Sequence, residues 1–169
     1  MNNAILSKQS IWRTALIDVA LLTVGCFIPA LSHLFAFPLY QLNPMLLVLM
    51  AGMLLVSDRR NAYLLAVLLP VVSMLAVGMP TPAKALCMVP EFLAVVGVSS
   101  LLGSTSLLGS TKMGGFIAMT AAMVCGKGLY YGLKALVMAP AVLVTTPVAT
   151  QVLVVVVAAG LFALLSRDK

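Results

Sequence analysis

Six uninterrupted apolar stretches, each at least about 18 residues long, limit what this chain can become more than any other feature. At ~1.5 Å of rise per helical residue each reaches ~27 Å, close to the hydrocarbon core of a bilayer. They cover residues 13–34, 39–57, 61–78, 85–103, 113–138 and 147–165. The runs are continuous. Barrel strands would alternate lipid-facing and lumen-facing residues, so helices are the expectation. Hydrophobic residues make up 63% of the chain, against roughly 45–50% in soluble domains. The sequence therefore predicts an all-α integral membrane protein. At 169 residues it should be one domain, a six-transmembrane-helix bundle with little room for a soluble catalytic lobe.

Basic residues set the expected orientation. With the N-terminus in the cytoplasm, Lys8, Arg13, Arg59, Arg60, Lys112, Arg167 and Lys169 lie inside, while Lys84 and Lys134 lie at or near the outer ends. That is a clear positive-inside bias, and it places both termini in the cytoplasm. The net charge of +6 is thus explained by membrane anchoring, and nucleic-acid binding is not indicated. Lys8 and Arg13 precede an apolar run ending in Ala30-Leu31-Ser32, which faintly resembles a signal-peptide cleavage site. The long basic stretch and the nearby Pro29 favour an uncleaved first membrane helix. Cys26, Cys87 and Cys125 each fall inside an apolar run with no Cys-x-x-Cys or Cys/His cluster. Neither a disulfide framework nor a metal site is supported, and buried, unreactive thiols are expected.

Against this apolar background four charges stand out. Lys84 and Glu91 flank or enter the fourth segment, and Lys127 and Lys134 lie in the fifth. A charge at mid-bilayer costs roughly 2.5–3.5 kcal/mol on insertion scales, so such residues usually face a cavity, a partner or water. Lys127, Tyr131 and Lys134 are spaced i, i+4, i+7 and share one helical face, with Tyr130 beside it; Lys84 and Glu91 are likewise seven apart. If the two faces meet, Glu91 and Lys127 neutralise one another while Lys84 and Lys134 line an outward mouth. His33 and Asn43 from the first hairpin would complete a polar, net-cationic pocket, walled by Met45, Met74, Met79 and Met88. The alternatives are plainer. Lys84 and Lys134 would snorkel to headgroups, Glu91 and Lys127 would form a structural ion pair, and the tyrosines would pack or sit in an interfacial belt. Asp18, near the cytoplasmic end of the first segment, is expected to face a partner subunit or headgroups.

Catalysis is not indicated. With a single His, no Gly-x-Ser-x-Gly, and Asp18 and Glu91 expected at opposite ends of the bundle, neither hydrolytic triads nor paired-carboxylate chemistry is expected. The Gly/Ser/Thr stretch after residue 103 lacks a phosphate-cradle pattern and reads as a connector.

The stretches LNPMLLVLMAGMLL, LLPVVSMLAVGMPTPAKALCMVPEF and GKGLYYGLKAL resemble the substrate-binding S components of energy-coupling-factor (ECF) vitamin transporters, closest to the pantothenate and cobalamin group. The resemblance covers roughly residues 29–135. It rests on a Pro-Met opening of the second helix, a Gly-Met-Pro end to the third, a Glu in the fourth and, in the fifth, Gly126-Lys127-Gly128-Leu129-Tyr130-Tyr131-Gly132, which approximates the family's Gly-Arg-x-x-Tyr-Gly element. It implies that substrate, a vitamin or related micronutrient, is captured at the outer face of a bacterial or archaeal cytoplasmic membrane. A transmembrane coupling subunit and two cytosolic ATPases would act as partners, and the ATP would be used by those partners, with no cofactor in this chain. Glu91, Lys127 and Tyr131 carry over as site residues, with Asn43, Met79 and Lys84 as loop contacts. Two departures stand out. Lys127 replaces the expected arginine, giving up bidentate carboxylate geometry. The Ala-x-x-x-Ala docking pattern of the first helix is reduced to Ala15 and Ala20, five apart. A stand-alone proton- or ion-coupled carrier or channel, with Glu91 as relay, is the other function open to such a chain.

Overall fold

The computed structural model describes residues 2–34, 43–56, 58–105, 111–137 and 147–166, with side chains in the first helix described from residue 11 to residue 28. The described residues form six α-helices and no strand: α1 (Asn2–Leu34), α2 (Pro44–Leu55), α3 (Arg59–Val77), α4 (Pro82–Gly103), α5 (Lys112–Val137) and α6 (Val148–Leu165). Five of them are long and apolar enough to cross a membrane; α2 is not.

The short α2 corrects the expectation of a span over 39–57. It has only 12 residues, or ~18 Å of helix. Its start is fixed by local chemistry. Pro44 stands in the first turn, where its missing N–H costs nothing. Asn43 before it adopts a left-handed conformation, φ 46° and ψ 60°, which a helix cannot continue through and which Asn tolerates better than most residues. At the other end Val56 is extended and donates its N–H to the Gly52 carbonyl. Apolar continuity had concealed both stops. In the other direction, α1 exceeds expectation, beginning at Asn2 and running 33 residues.

The remaining boundaries follow ordinary capping. Asp58 accepts from the Arg60 N–H (2.9 Å) at the start of α3, and Gly78, at φ 72°, closes its end with an N–H bond to the Met74 carbonyl. Pro82 opens α4. The interior prolines, Pro70 of α3 and Pro90 of α4, leave both helices unbroken.

The helices pack as a ring. α4 lies against α3 and α5, α5 against α6, and α2 closes the circuit between α6 and α1; α1 and α3 also pack together, and α2 touches α3. Phe92, Leu49, Leu65, Val95, Val96 and Met119 are fully buried at its centre. Outward, Leu16, Leu75, Leu101 and Leu136 are 70%, 76%, 70% and 84% exposed. Leucine outside with Glu91, Lys134, Ser73 and Asn61 inside suits a hydrocarbon surround, where apolar surface needs no burial and polar groups need partners. The protein is a multi-pass helical membrane protein.

One polar contact overturns an expectation. Half-buried Asp18 is engaged within the bundle: its Oδ1 accepts from Asn61 Nδ2 of α3 at 2.8 Å, joining the two helices through a pair whose asparagine is buried. Cysteine burial is also only partly as expected. Cys26 and Cys87 are buried, but Cys125 is exposed on α5.

Candidate functional site

One end of the ring is built from the C-terminal half of α1, the start of α2, the connection after α3, the start of α4, the end of α5 and the start of α6. These elements surround a cavity of about 290 Å³. The opposite end carries Arg13, Arg59, Arg60 and Lys112.

Helical spacing and antiparallel packing explain the site's layered charges. Lys84 is in the first turn of α4 and stands exposed at the rim. Glu91, two turns further on, lies ~10 Å deeper on the same face and is 1% exposed. Helix α5 arrives from the other direction, so Lys134 comes level with the rim and Lys127 level with Glu91. Lys127 Nζ pairs with Glu91 Oε1 at 2.6 Å, and Asn43 Nδ2 donates to the same oxygen at 3.4 Å. The helix start that shortens α2 thus brings its capping residue to the carboxylate on α4.

Gly126 is what allows this approach. A Cβ there would lie 2.7 Å from Val95 Cγ2 and 3.0 Å from the backbone oxygen of Glu91. No side chain fits between α4 and α5 at the level of the ion pair.

Tyr130 is the second organiser. It is buried (7% exposed) and receives two cations: Lys127 Nζ lies 5.3 Å and Lys134 Nζ 5.7 Å from its ring centroid. Both distances are within cation–π range. Tyr131 meets Tyr130 edge-on, with centroids 5.3 Å apart at 78°. Lys134 is itself only 4% exposed. It is folded inward onto this ring, so the snorkelling alternative does not describe it. Lys84, Lys127 and Lys134 all line the cavity with Glu91 as the single carboxylate, leaving a formal excess of two positive charges.

The structure brings Glu91, Lys127, Tyr131, Lys84, Lys134, Asn43 and Met79 to one cavity. Met79 also anchors the connection after α3, its carbonyl accepting from the fully buried Ser73 hydroxyl at 2.7 Å. Met45 and Met88 are wall residues as expected; Met74 does not line the cavity. The His33 side chain lies outside the described residues. Ala15 and Ala20 are both exposed on α1, and their five-residue spacing puts them on different sides of the helix. Sequence reasoning missed Gln151 of α6 and the aliphatic residues Ile28, Val154 and Val155, all of which line the cavity. Gln151 carries no formal charge and lies outside the two charge-bearing segments. The Thr150-Gln151 pair at the start of an otherwise apolar α6 was the available signal.

In this arrangement Glu91 is paired in place with Lys127, and the polar groups converge on an open space. Such a constellation is suited to holding an anionic solute. No family model, no curated protein and no solved structure matches the chain.

Proposed function

We propose that this chain is the non-enzymatic, substrate-binding membrane subunit of an ECF-type ABC importer, taking up a vitamin-like micronutrient across a bacterial or archaeal cytoplasmic membrane. The observation that carries the reading is the cationic cavity sunk into one end of the bundle, with Glu91, Lys127, Tyr131 and Asn43 together around it. Those residues fall in the three stretches that resemble S components. Positive charge on Arg59, Arg60 and Lys112 at the far end supports a cytoplasmic position for that end, and so an outward-facing mouth for the cavity. Energy has to come from partners, because the chain carries no nucleotide-binding motif. A coupling subunit and two cytosolic ATPases are the partners this reading requires.

The burial of Glu91 within a span also suits a stand-alone proton- or cation-coupled carrier. Co-expression with candidate coupling and ATPase subunits, followed by affinity purification, separates the two. A stable complex whose reconstituted uptake needs ATP is the expected result. Uptake by the lone protein in liposomes, driven by a proton gradient, would establish the carrier instead. Mass spectrometry of small molecules that co-purify with the detergent-extracted chain identifies the substrate directly.

A further inference from the structure

Two prolines divide the α3–α4 hairpin at one depth. Pro70 lies seven residues before the end of α3, and Pro90 eight residues after the start of α4. The two helices pack together and are joined by the short connection 78–81, so both prolines stand ~10–12 Å from its tip. Each proline lacks the N–H that would reach the carbonyl four residues back, Ala66 in α3 and Leu86 in α4. Neither helix breaks, but each has lost a rung there, and helices bend most readily at proline.

Packing changes at the same level. Beside Pro70, a Cβ on Gly25 of α1 would come 2.8 Å from Leu69 Cδ2; beside Pro90, a Cβ on Gly126 of α5 would come 3.0 Å from the Glu91 backbone oxygen. Close approach at glycine thus clamps α3 to α1 and α4 to α5 at the prolines. On the side away from the cavity mouth, Leu65, Phe92, Val95 and Val96 are 0% exposed. On the mouth side the hairpin is thinly held. Among the described residues of α3 beyond Pro70, Ser73 alone is buried, while Leu75, Val77 and Leu86 are exposed. The residues that α4 buries there, Ala85, Cys87 and Met88, are small or have adaptable side chains. A segment with few buried apolar contacts is among the first to open. Its tip is nonetheless stiff, because the Ser73 hydroxyl donates to the Met79 carbonyl at 2.7 Å and ties the connection back to α3.

We propose that residues 71–89 form a hinged flap over the cavity, pivoting at the level of Pro70 and Pro90 and carrying Met79, Pro80, Thr81, Lys84 and Met88 of its lining. Glu91 and Lys127 stay with the clamped part, so the flap widens the mouth and leaves the ion pair in place. A swing of about 20°, within the range of a proline kink, moves the tip by ~4 Å. That movement gives access to groups such as Met123, which lines the cavity at 1% exposure. Use of the motion to admit a ligand rests on the substrate-binding reading above; the motion itself does not.

Paired spin labels on the purified full chain in detergent test the flap, with the native cysteines changed to alanine and no ligand added. One pair joins Val77→Cys at the flap tip to Val148→Cys at the start of α6. The other joins Leu64→Cys to Val157→Cys, exposed positions away from the mouth. Double electron–electron resonance is expected to show a distance spread ~4 Å wider for the first pair than for the second. Pro90→Ala restores the missing rung in α4 and is expected to narrow the first pair to the spread of the second. Chemical access supplies an independent measure. A single cysteine introduced as Met123→Cys is expected to react with N-ethylmaleimide at least about fivefold more slowly once Pro90→Ala is added. Equal spreads for the two pairs in the parent overturn the proposal. So does a first-pair spread, or an N-ethylmaleimide rate, that Pro90→Ala leaves unchanged. None of those outcomes touches the importer reading, which stands or falls on the ATPase complex.

Discussion

Glu91 and Lys127 are where a single atom change should matter most. Removing one member of a buried ion pair strands the other charge, which typically costs about 3–5 kcal/mol. Lys127 keeps 22% side-chain exposure against 2% for Glu91, so loss of the glutamate's partner should sit at the low end of that range. Lys127→Met is expected to lower the thermal unfolding midpoint in detergent and to abolish ligand binding. Adding Glu91→Gln to Lys127→Met should restore much of the stability but none of the binding, as followed by circular dichroism and equilibrium dialysis. Tyr130 permits a sharper distinction. Tyr130→Phe keeps the ring that both lysines contact and should bind nearly as the parent does. Tyr130→Leu removes two cation–π contacts of about 0.5–2 kcal/mol each and should weaken binding roughly tenfold or more. Equal damage from the two substitutions would shift the role from the ring to the hydroxyl.

Among the elements, α5 carries most of the site and its glycines are not equivalent. Gly126→Ala drives a methyl group into Val95 and the Glu91 backbone, which should cost about 1–3 kcal/mol through overpacking and separate the ion pair. Gly128→Ala and Gly132→Ala meet nothing within 4 Å and should be neutral or stabilising by up to ~1 kcal/mol from helix propensity. Thermal denaturation of the three variants side by side checks the contrast. The helical faces of α4 and α5 were legible in the sequence because charges in an apolar run are rare and their i, i+4, i+7 spacing is a property of the chain alone. The length of α2 was less so. Asn43-Pro44 was a readable helix start, but the apolar residues on either side masked it. The Asp18–Asn61 bond joins residues 43 positions apart, and no local periodicity reports which helices become neighbours. Gln151, Val154 and Val155 escaped for the same reason: their role exists only once α6 has been placed beside α5.

On the scale of the whole molecule, orientation is the property most open to a direct check. Single cysteines replacing Thr81, by the cavity mouth, and Asp58, at the far end, can be introduced with the native cysteines changed to alanine. A membrane-impermeant maleimide added to intact cells should label the Thr81→Cys protein and spare Asp58→Cys until the membrane is permeabilised. The reverse pattern would invert the topology. The lysine surplus of the cavity has an electrical consequence as well. Moving one elementary charge through a membrane potential involves ~2.3 kcal/mol per 100 mV. Any step that shifts the cavity's access from one side to the other carries Lys84, Lys127 and Lys134 against the lone carboxylate of Glu91 through part of that field. Empty, the site carries a formal charge of +2; filled by a monoanion it carries +1, so binding halves the charge on which the field acts. A membrane potential would therefore weigh on any such step differently in the loaded and the unloaded protein.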